Sequence, residues 1–326
     1  MIRLSILGQG GASGAARPCS HAAASARAGR AASGRSPRGA RPRATPRHTA
    51  DTLLGTAQRL KESSVTHSPI PPDFTREAFF STVRIFGSRI ATGFLYQADL
   101  ETPTYLVTNR HVVEASTELT GALLQANGDR PIFGDTVEYD LRPTRRSWTF
   151  HPNRLVDVAV LNFDNLLGES LQAGDPAPFY STIGDWGPDD TDISDYNYVE
   201  EISFVGYPGG IHDTIMMTPI VRRGITATPF QIPWMGGPAF LIDAYVVQGS
   251  SGSPVLCIHN GMFRNGPAYS PGSRAAFLGI LGKGIENGSE PATWNEIRSR
   301  EPRYANLGVV FKWSTISETI AESLRT

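Results

Sequence analysis

The sequence predicts an all-β fold, and three features of its 326 residues carry that reading. Short apolar runs follow one another from Val83 onward, each bounded by turn signals. Glycine and proline are frequent, at 33 and 24 residues. No alternation of strand and helix patterns suggests a parallel sheet, so a sandwich or barrel is expected.

Composition bounds the rest. At 40% hydrophobic and 19% charged, the chain is long enough for one large or two ordinary domains with a substantial core, and it reads as soluble. Residues 1–50 hold nine arginines, no acidic residue and no lysine, which leaves 21 basic against 31 acidic groups in residues 51–326. That balance of −10 disfavours nucleic acid as a partner of the folded part. Two cysteines, Cys19 and Cys257, make no disulfide framework. No apolar run approaches a membrane span and the opening residues are too short for a secretory signal, so a cytoplasmic location is expected.

Taken in order, residues 1–50 contain thirteen alanines and no aromatic residue, and form an expected disordered tail. An organelle transit peptide, a basic arm, or translation from a misassigned start would each fit. Residues 51–74 read as a short helix capped by Asp51, with Leu53, Ala57 and Leu60 on one face, followed by a lead-in broken at Pro69, Pro71 and Pro72. Strands are expected at Val83–Ile85, Ile90–Tyr96 and Tyr105–Thr108, and then around Trp148, Val156–Phe163 and Ile202–Tyr207. Residues 185–201 carry seven acidic side chains without the spacing of a calcium loop, so they read as a solvated linker. Trp313, Ile316, Ile320 and Leu324 fall at helical spacing behind a Thr315-x-x-Glu318 capping box, predicting a C-terminal helix packed on the barrel.

The chemistry centres on Gln248-Gly-Ser-Ser251-Gly-Ser-Pro254, a turn of small residues between the apolar runs Ile242–Val247 and Val255–Ile258. Glycines at 249 and 252 let the backbone fold tightly around Ser251, so that the N–H groups of Gly249 and Ser251 could converge on an oxyanion. A serine nucleophile needs an imidazole held by a carboxylate. Of seven histidines, His21 and His48 lie in the tail, His67 in the lead-in, and His151, His212 and His259 in turn-like contexts; His111 alone ends a strongly apolar stretch, Tyr105–Val113. Asp157 is the sole acid within Leu155–Leu161, where burial demands a donor. The histidines and cysteines show no ligand spacing, so neither metal nor cofactor is expected.

The order His111, Asp157, Ser251 resembles that of the chymotrypsin-fold serine proteases, closest in motif style to the HtrA-type bacterial branch. Thr108-Asn-Arg-His111 resembles the family's histidine motif, Asp157-Val-Ala-Val its aspartate motif, and Gly249-Ser-Ser251-Gly-Ser-Pro254 its nucleophile loop, with Ser253 in place of a glycine. Ile90–Phe94, Val205–Pro208, Asp243-Ala244, Phe277–Gly284 and Leu307–Val310 extend the likeness across about residues 75–326. It implies two six-stranded antiparallel β-barrels and a C-terminal helix: a first barrel at about 75–184, the linker at 185–201, and a second barrel with the helix at 202–326. It also implies a serine endopeptidase acting on protein or peptide through an acyl-enzyme, with the oxyanion hole at Gly249 and Ser251. Substrate contacts are implied at Tyr245, Gln248, Gly282, Gly284 and Gly308. Ser250 stands where digestive relatives have an aspartate that latches a freed N-terminus, and the chain leaves no room after its last helix for a PDZ domain. Tyr245, where trypsin-like enzymes carry an aspartate, implies cleavage after uncharged residues and could partly fill the pocket. An α/β-hydrolase is disfavoured by residue order, and a latent or non-catalytic binding module of the same fold is the rival.

Overall fold

The computed structural model describes residues 73–184, 186–188, 193–286 and 304–325. The tail at 1–50, the helix expected from Asp51, and the proline lead-in lie outside the described residues, as do Asp185, Asp189, Asp190 and Asp192 of the acidic stretch.

The first half begins with α1 (Phe74–Ser81), whose N-cap Asp73 accepts a hydrogen bond from the Arg76 N–H at 3.1 Å. There follow β1 (Thr82–Phe86), β2 (Ile90–Tyr96), β3 (Tyr105–Thr108), α2 (Arg110–Glu114), β4 (Thr120–Asn127), β5 (Arg130–Asp140), β6 (Thr149–Phe150), β7 (Ala159–Asn162) and α3 (Phe163–Ala173). The strands form one antiparallel sheet in the order β5-β4-β1-β2-β3-β7-β6. It has seven strands rather than the expected six, because two residues, Thr149 and Phe150, pair along β7 as an extra edge. The second half comprises β8 (Glu201–Gly206), β9 (Ile220–Thr226), β10 (Ala239–Asp243), β11 (Pro254–Asn265), β12 (Ala268–Glu286), β13 (Tyr304–Lys312) and α4 (Ser314–Ser323). Its six strands close into a barrel in the order β10-β13-β12-β11-β8-β9. The all-β architecture in two parts with a C-terminal helix is thus the expected one. Among the described residues no helix is long and apolar enough to cross a membrane.

Side chains alternate between faces along a strand, and here both faces of the central strands are covered. On β2 and β3, Leu95 and Leu106 enter the core of the first sheet with Ile85, Leu123 and Leu141. Their neighbours Phe94, Tyr96 and Val107 point the other way, into a shared core with Val205, Leu256, Phe277 and Ile280 of the barrel. Phe94 meets Phe277 edge to face at 5.5 Å, a pairing that contributes about 1 kcal/mol beyond area burial. A third core of Ile202, Phe204, Phe240, Ile242, Leu278 and Val310 fills the barrel. The two sheets are therefore joined by apolar packing, and the site described next sits where their loops meet.

Some local features differ from expectation. Helix α3 occupies Phe163–Ala173, beyond the expected strand: Asn162 caps it by accepting from the Asn165 N–H at 3.0 Å, and Gly174 ends it at φ 90°. The capping box on α4 does not form. Thr315 is inside the helix and donates its hydroxyl to the Lys312 carbonyl at 2.7 Å, while Glu318 bonds the buried His151 at 2.9 Å. Trp313, Ile316 and Ile320 pack against the shared core, but Leu324 is exposed.

Candidate active site

Strand pairing delivers His111 and Asp157 to one place. Thr108 is opposite Ala159 in the β3–β7 ladder, so the residues just after β3 must lie beside those just before β7. The strand ends at Thr108 and His111 sits in the first turn of α2, which corrects the reading of His111 as a strand-end residue. Asp157 likewise precedes β7 rather than lying in it. Asn109 donates its side-chain amide to the Asp157 carbonyl at 2.7 Å. From the next turn, the His111 main-chain N–H donates to Asp157 Oδ1 at 2.9 Å and its Nδ1 contacts Oδ2 at 2.5 Å. An ionised carboxylate only accepts, so Nδ1 carries the proton and Nε2 presents a lone pair.

Asp157 is buried, which pushes its carboxyl up. The hydrogen bond from the His111 ring, electrostatic attraction toward His111, the hydrogen bond from its main-chain N–H and attraction toward Lys283 outweigh that and hold it below the ordinary aspartate value. The His111 side chain remains 32% exposed, and Nε2 has no hydrogen-bond partner among the described residues.

Ser251 is brought in by the other half. Its loop is tied down through its carbonyl groups. Gln248 O accepts from Gly209 N at 2.6 Å, Gly249 O from the Thr92 hydroxyl at 2.8 Å, Ser250 O from Ser253 N at 3.1 Å, and Ser251 O from Thr92 N at 2.9 Å. A trans peptide points its N–H opposite its C=O. The Gly249 and Ser251 N–H groups are therefore aimed away from these partners, and among the described residues neither donates a hydrogen bond. Gly249 and Gly252 adopt φ of 91° and 86°, conformations open to glycine and costly for other residues. Thr108, three residues before His111, donates its hydroxyl to the Thr92 carbonyl at 2.8 Å. Thr92 thus links the strand that leads to His111 with the loop that carries Ser251.

The Ser251 hydroxyl is not bonded to His111. Its Oγ donates to the Gly282 carbonyl at 3.3 Å. Of the expected substrate contacts, Gly282 is therefore beside the serine, and Gly284 pairs with Gly308 between β12 and β13. Tyr245 does not fill a pocket: it is 53% exposed, with the Arg222 guanidinium 5.2 Å from its ring centre. Val246, Ile242 and Leu281 pack on Gly308 instead, and a Cβ there would lie 2.8 to 3.0 Å from them. Gln248 is exposed.

Thr92, Thr108 and Asn109 had no assigned role in the sequence. A signal was present, since each is a polar residue in or beside an apolar strand and all three are fully buried.

The family model described as trypsin-like peptidase domain matches residues 91–263. Among solved structures, Rv3671c from M. tuberculosis H37Rv in an inactive form is similar at 17% identity and TM-score 0.40, over 79% of this chain and 92% of that one. Deg5 is similar at 13% identity and TM-score 0.40, over 76% and 90%. The HtrA-type protease AlgW with a tripeptide is similar at 14% identity and TM-score 0.42, over 76% and 61%. No curated protein matches the sequence.

Proposed function

The chain belongs to the trypsin-like peptidase family, and on that premise we propose that it is a serine endopeptidase working through His111, Asp157 and Ser251. The observation that carries the proposal is the 2.5 Å contact between His111 Nδ1 and Asp157 Oδ2, which leaves Nε2 without a hydrogen-bond partner among the described residues and able to act as a base. In the proposed reaction, the Ser251 hydroxyl turns from Gly282 O toward Nε2 and attacks a peptide carbonyl as His111 takes its proton. The C–N bond then breaks, His111 passes that proton to the leaving amine, and an acyl-enzyme remains. Water, deprotonated by the same nitrogen, releases the acid and restores the hydroxyl. Asp157 keeps the imidazole in the required tautomer and stabilises its cation. The unpartnered N–H groups of Gly249 and Ser251 support an oxyanion-hole role, in which one donor typically lowers the barrier by about 3–4 kcal/mol.

Cleavage after uncharged residues is the proposed specificity. Tyr245 supplies no carboxylate, and the groups packed at Gly308 are aliphatic, so a buried lysine or arginine side chain would lack a counter-charge there. A peptide-library profile dominated by Lys or Arg before the cut overturns this.

The bond from Ser251 to Gly282 O favours a second reading, in which the resting chain is a latent module of the same fold. Labelling with a fluorophosphonate, alone and with an unfolded protein, separates the two. Labelling of the chain alone supports a competent peptidase, and labelling only with added protein supports latency. Reaction or cleavage that survives Ser251→Ala removes the nucleophile assignment.

A further inference from the structure

The barrel carries a second cluster of reactive side chains, distant in sequence from His111 and Asp157. Cys257 and His259 are two residues apart on β11, so both project from the same face. Strand β8 pairs with β11 through Phe204 opposite Val255 and Ser203 opposite Leu256. Continuing that register sets Glu200 beside His259. This corrects two expectations: His259 lies in a strand, not a turn, and Glu200 of the acidic stretch is buried rather than solvated.

The donor atoms Glu200 Oε2, Cys257 Sγ and His259 Nε2 converge. The histidine nitrogen is 2.8 Å from the carboxylate oxygen and 3.4 Å from the sulfur, and sulfur and oxygen are 3.8 Å apart. A tetrahedral zinc ion with Zn–S of about 2.3 Å and Zn–N and Zn–O of about 2.1 Å holds its ligands about 3.4–3.6 Å apart. Among the described residues no other group of three such donors is this close.

We propose that Glu200, Cys257 and His259 form a divalent-metal site suited to zinc. A thiolate, an imidazole and a carboxylate are each ligands that zinc accepts, and three of them leave a fourth position for water. The surroundings hold the ligands in place. Glu200 Oε1 accepts from the Asn197 main-chain N–H at 2.6 Å and from its side-chain amide at 3.0 Å, which orients Oε2 toward the other two donors. Tyr196 stacks on the His259 ring at 5.9 Å. The His259 side chain is 19% exposed, giving an ion a path in. Arg274 opposes loading, because its Nη2 lies 3.4 Å from His259 Nδ1, the atom that carries the proton once Nε2 binds metal. Loading turns this guanidinium toward the Asp195 carbonyl, already 3.4 Å away. A metal here ties Glu200, just before β8, to Cys257 and His259 on β11, the first of them six residues beyond Ser251.

Cobalt(II) substitution on the full chain carrying Cys19→Ser tests the site, because Cys257 is then the sole thiol. The expected result is one cobalt per chain with a sulfur-to-cobalt charge-transfer band and tetrahedral visible bands, all displaced by zinc. The bands disappear in Cys257→Ser and weaken in Glu200→Gln and His259→Gln. Zinc raises the melting temperature of the Cys19→Ser chain but not that of the further Cys257→Ser variant. Absence of the charge-transfer band in the Cys19→Ser chain overturns the proposal whether or not the other variants fold. A band unchanged by both Glu200→Gln and His259→Gln overturns the ligand set.

Discussion

The Thr92 hydroxyl donates to the Gly249 carbonyl at 2.8 Å and accepts from the Tyr207 main-chain N–H at 3.0 Å. One side chain of the first sheet thereby orients the peptide that follows Gly249 and completes the bonding at the end of β8. The isosteric change Thr92→Val removes both bonds and leaves a buried N–H unpaired, at a cost of about 1–3 kcal/mol. A lower urea midpoint with unchanged slope is expected, together with a fall in kcat larger than any change in KM. Unaltered kinetics would show that the loop holds its shape without Thr92.

Asp157→Asn keeps the shape of the proposed site but reverses the preferred imidazole tautomer, because an amide offers a donor where His111 Nδ1–H needs an acceptor. A fall of about 10⁴ in kcat is expected for a triad of this kind. Steady-state kinetics on a peptide substrate measure it, with near-native circular dichroism confirming the fold. A loss of less than tenfold would remove Asp157 from the mechanism.

The same carboxylate makes stability depend on acid. Its folded value is held below the ordinary one, so between the two values the unfolded chain binds more protons and stability rises with pH. The contribution is complete above the unfolded value of about 3.9 and is lost as pH falls through the lower folded value. Urea midpoints measured at decreasing pH should therefore drop less steeply for Asp157→Asn than for the unchanged chain. A residual slope is expected from Asp140, whose carboxyl is drawn down to about 2 chiefly by its hydrogen bond with Arg142. Identical slopes for the two proteins would contradict the inferred direction.

Gly252 lies at φ 86°, and a Cβ on it would fall on the Thr92 carbonyl oxygen. Gly252→Ala therefore combines about 1–2 kcal/mol of left-handed strain with a backbone clash that only movement of the loop can relieve. The expected outcome is a lower melting temperature and loss of fluorophosphonate labelling together. Full labelling of the alanine variant would mean that the loop tolerates a different path.

How much was legible in the sequence depended on how local the signal was. Strands β2 and β3 have the expected limits, because apolar side chains at consecutive positions mark strands covered on both faces. Helix α3 is poorly marked in the sequence because Phe163, Leu166 and Leu167 continue the apolar character of the preceding strand, and only Asn162 and Gly174 bracket the helix. The capping box at Thr315 failed for a tertiary reason: Glu318 is drawn off to His151 in the first half. His259 reads as a turn residue and Glu200 as part of a solvated linker because each is polar alone, and neither carries a sign of the other.

By itself the sequence determined the β-rich class, the chain order of His111, Asp157 and Ser251, and the tight turn around the serine, since periodicity, composition and glycine placement act over a few residues. Only the tertiary structure decided that His111 and Asp157 share two hydrogen bonds, that Thr92 joins the halves at the serine loop, that Ser251 rests on Gly282, and that Glu200 meets Cys257 and His259. Those relationships arise from strand register and from the packing of one sheet on another. Both bring together side chains whose separation along the chain carries no trace of their distance in space.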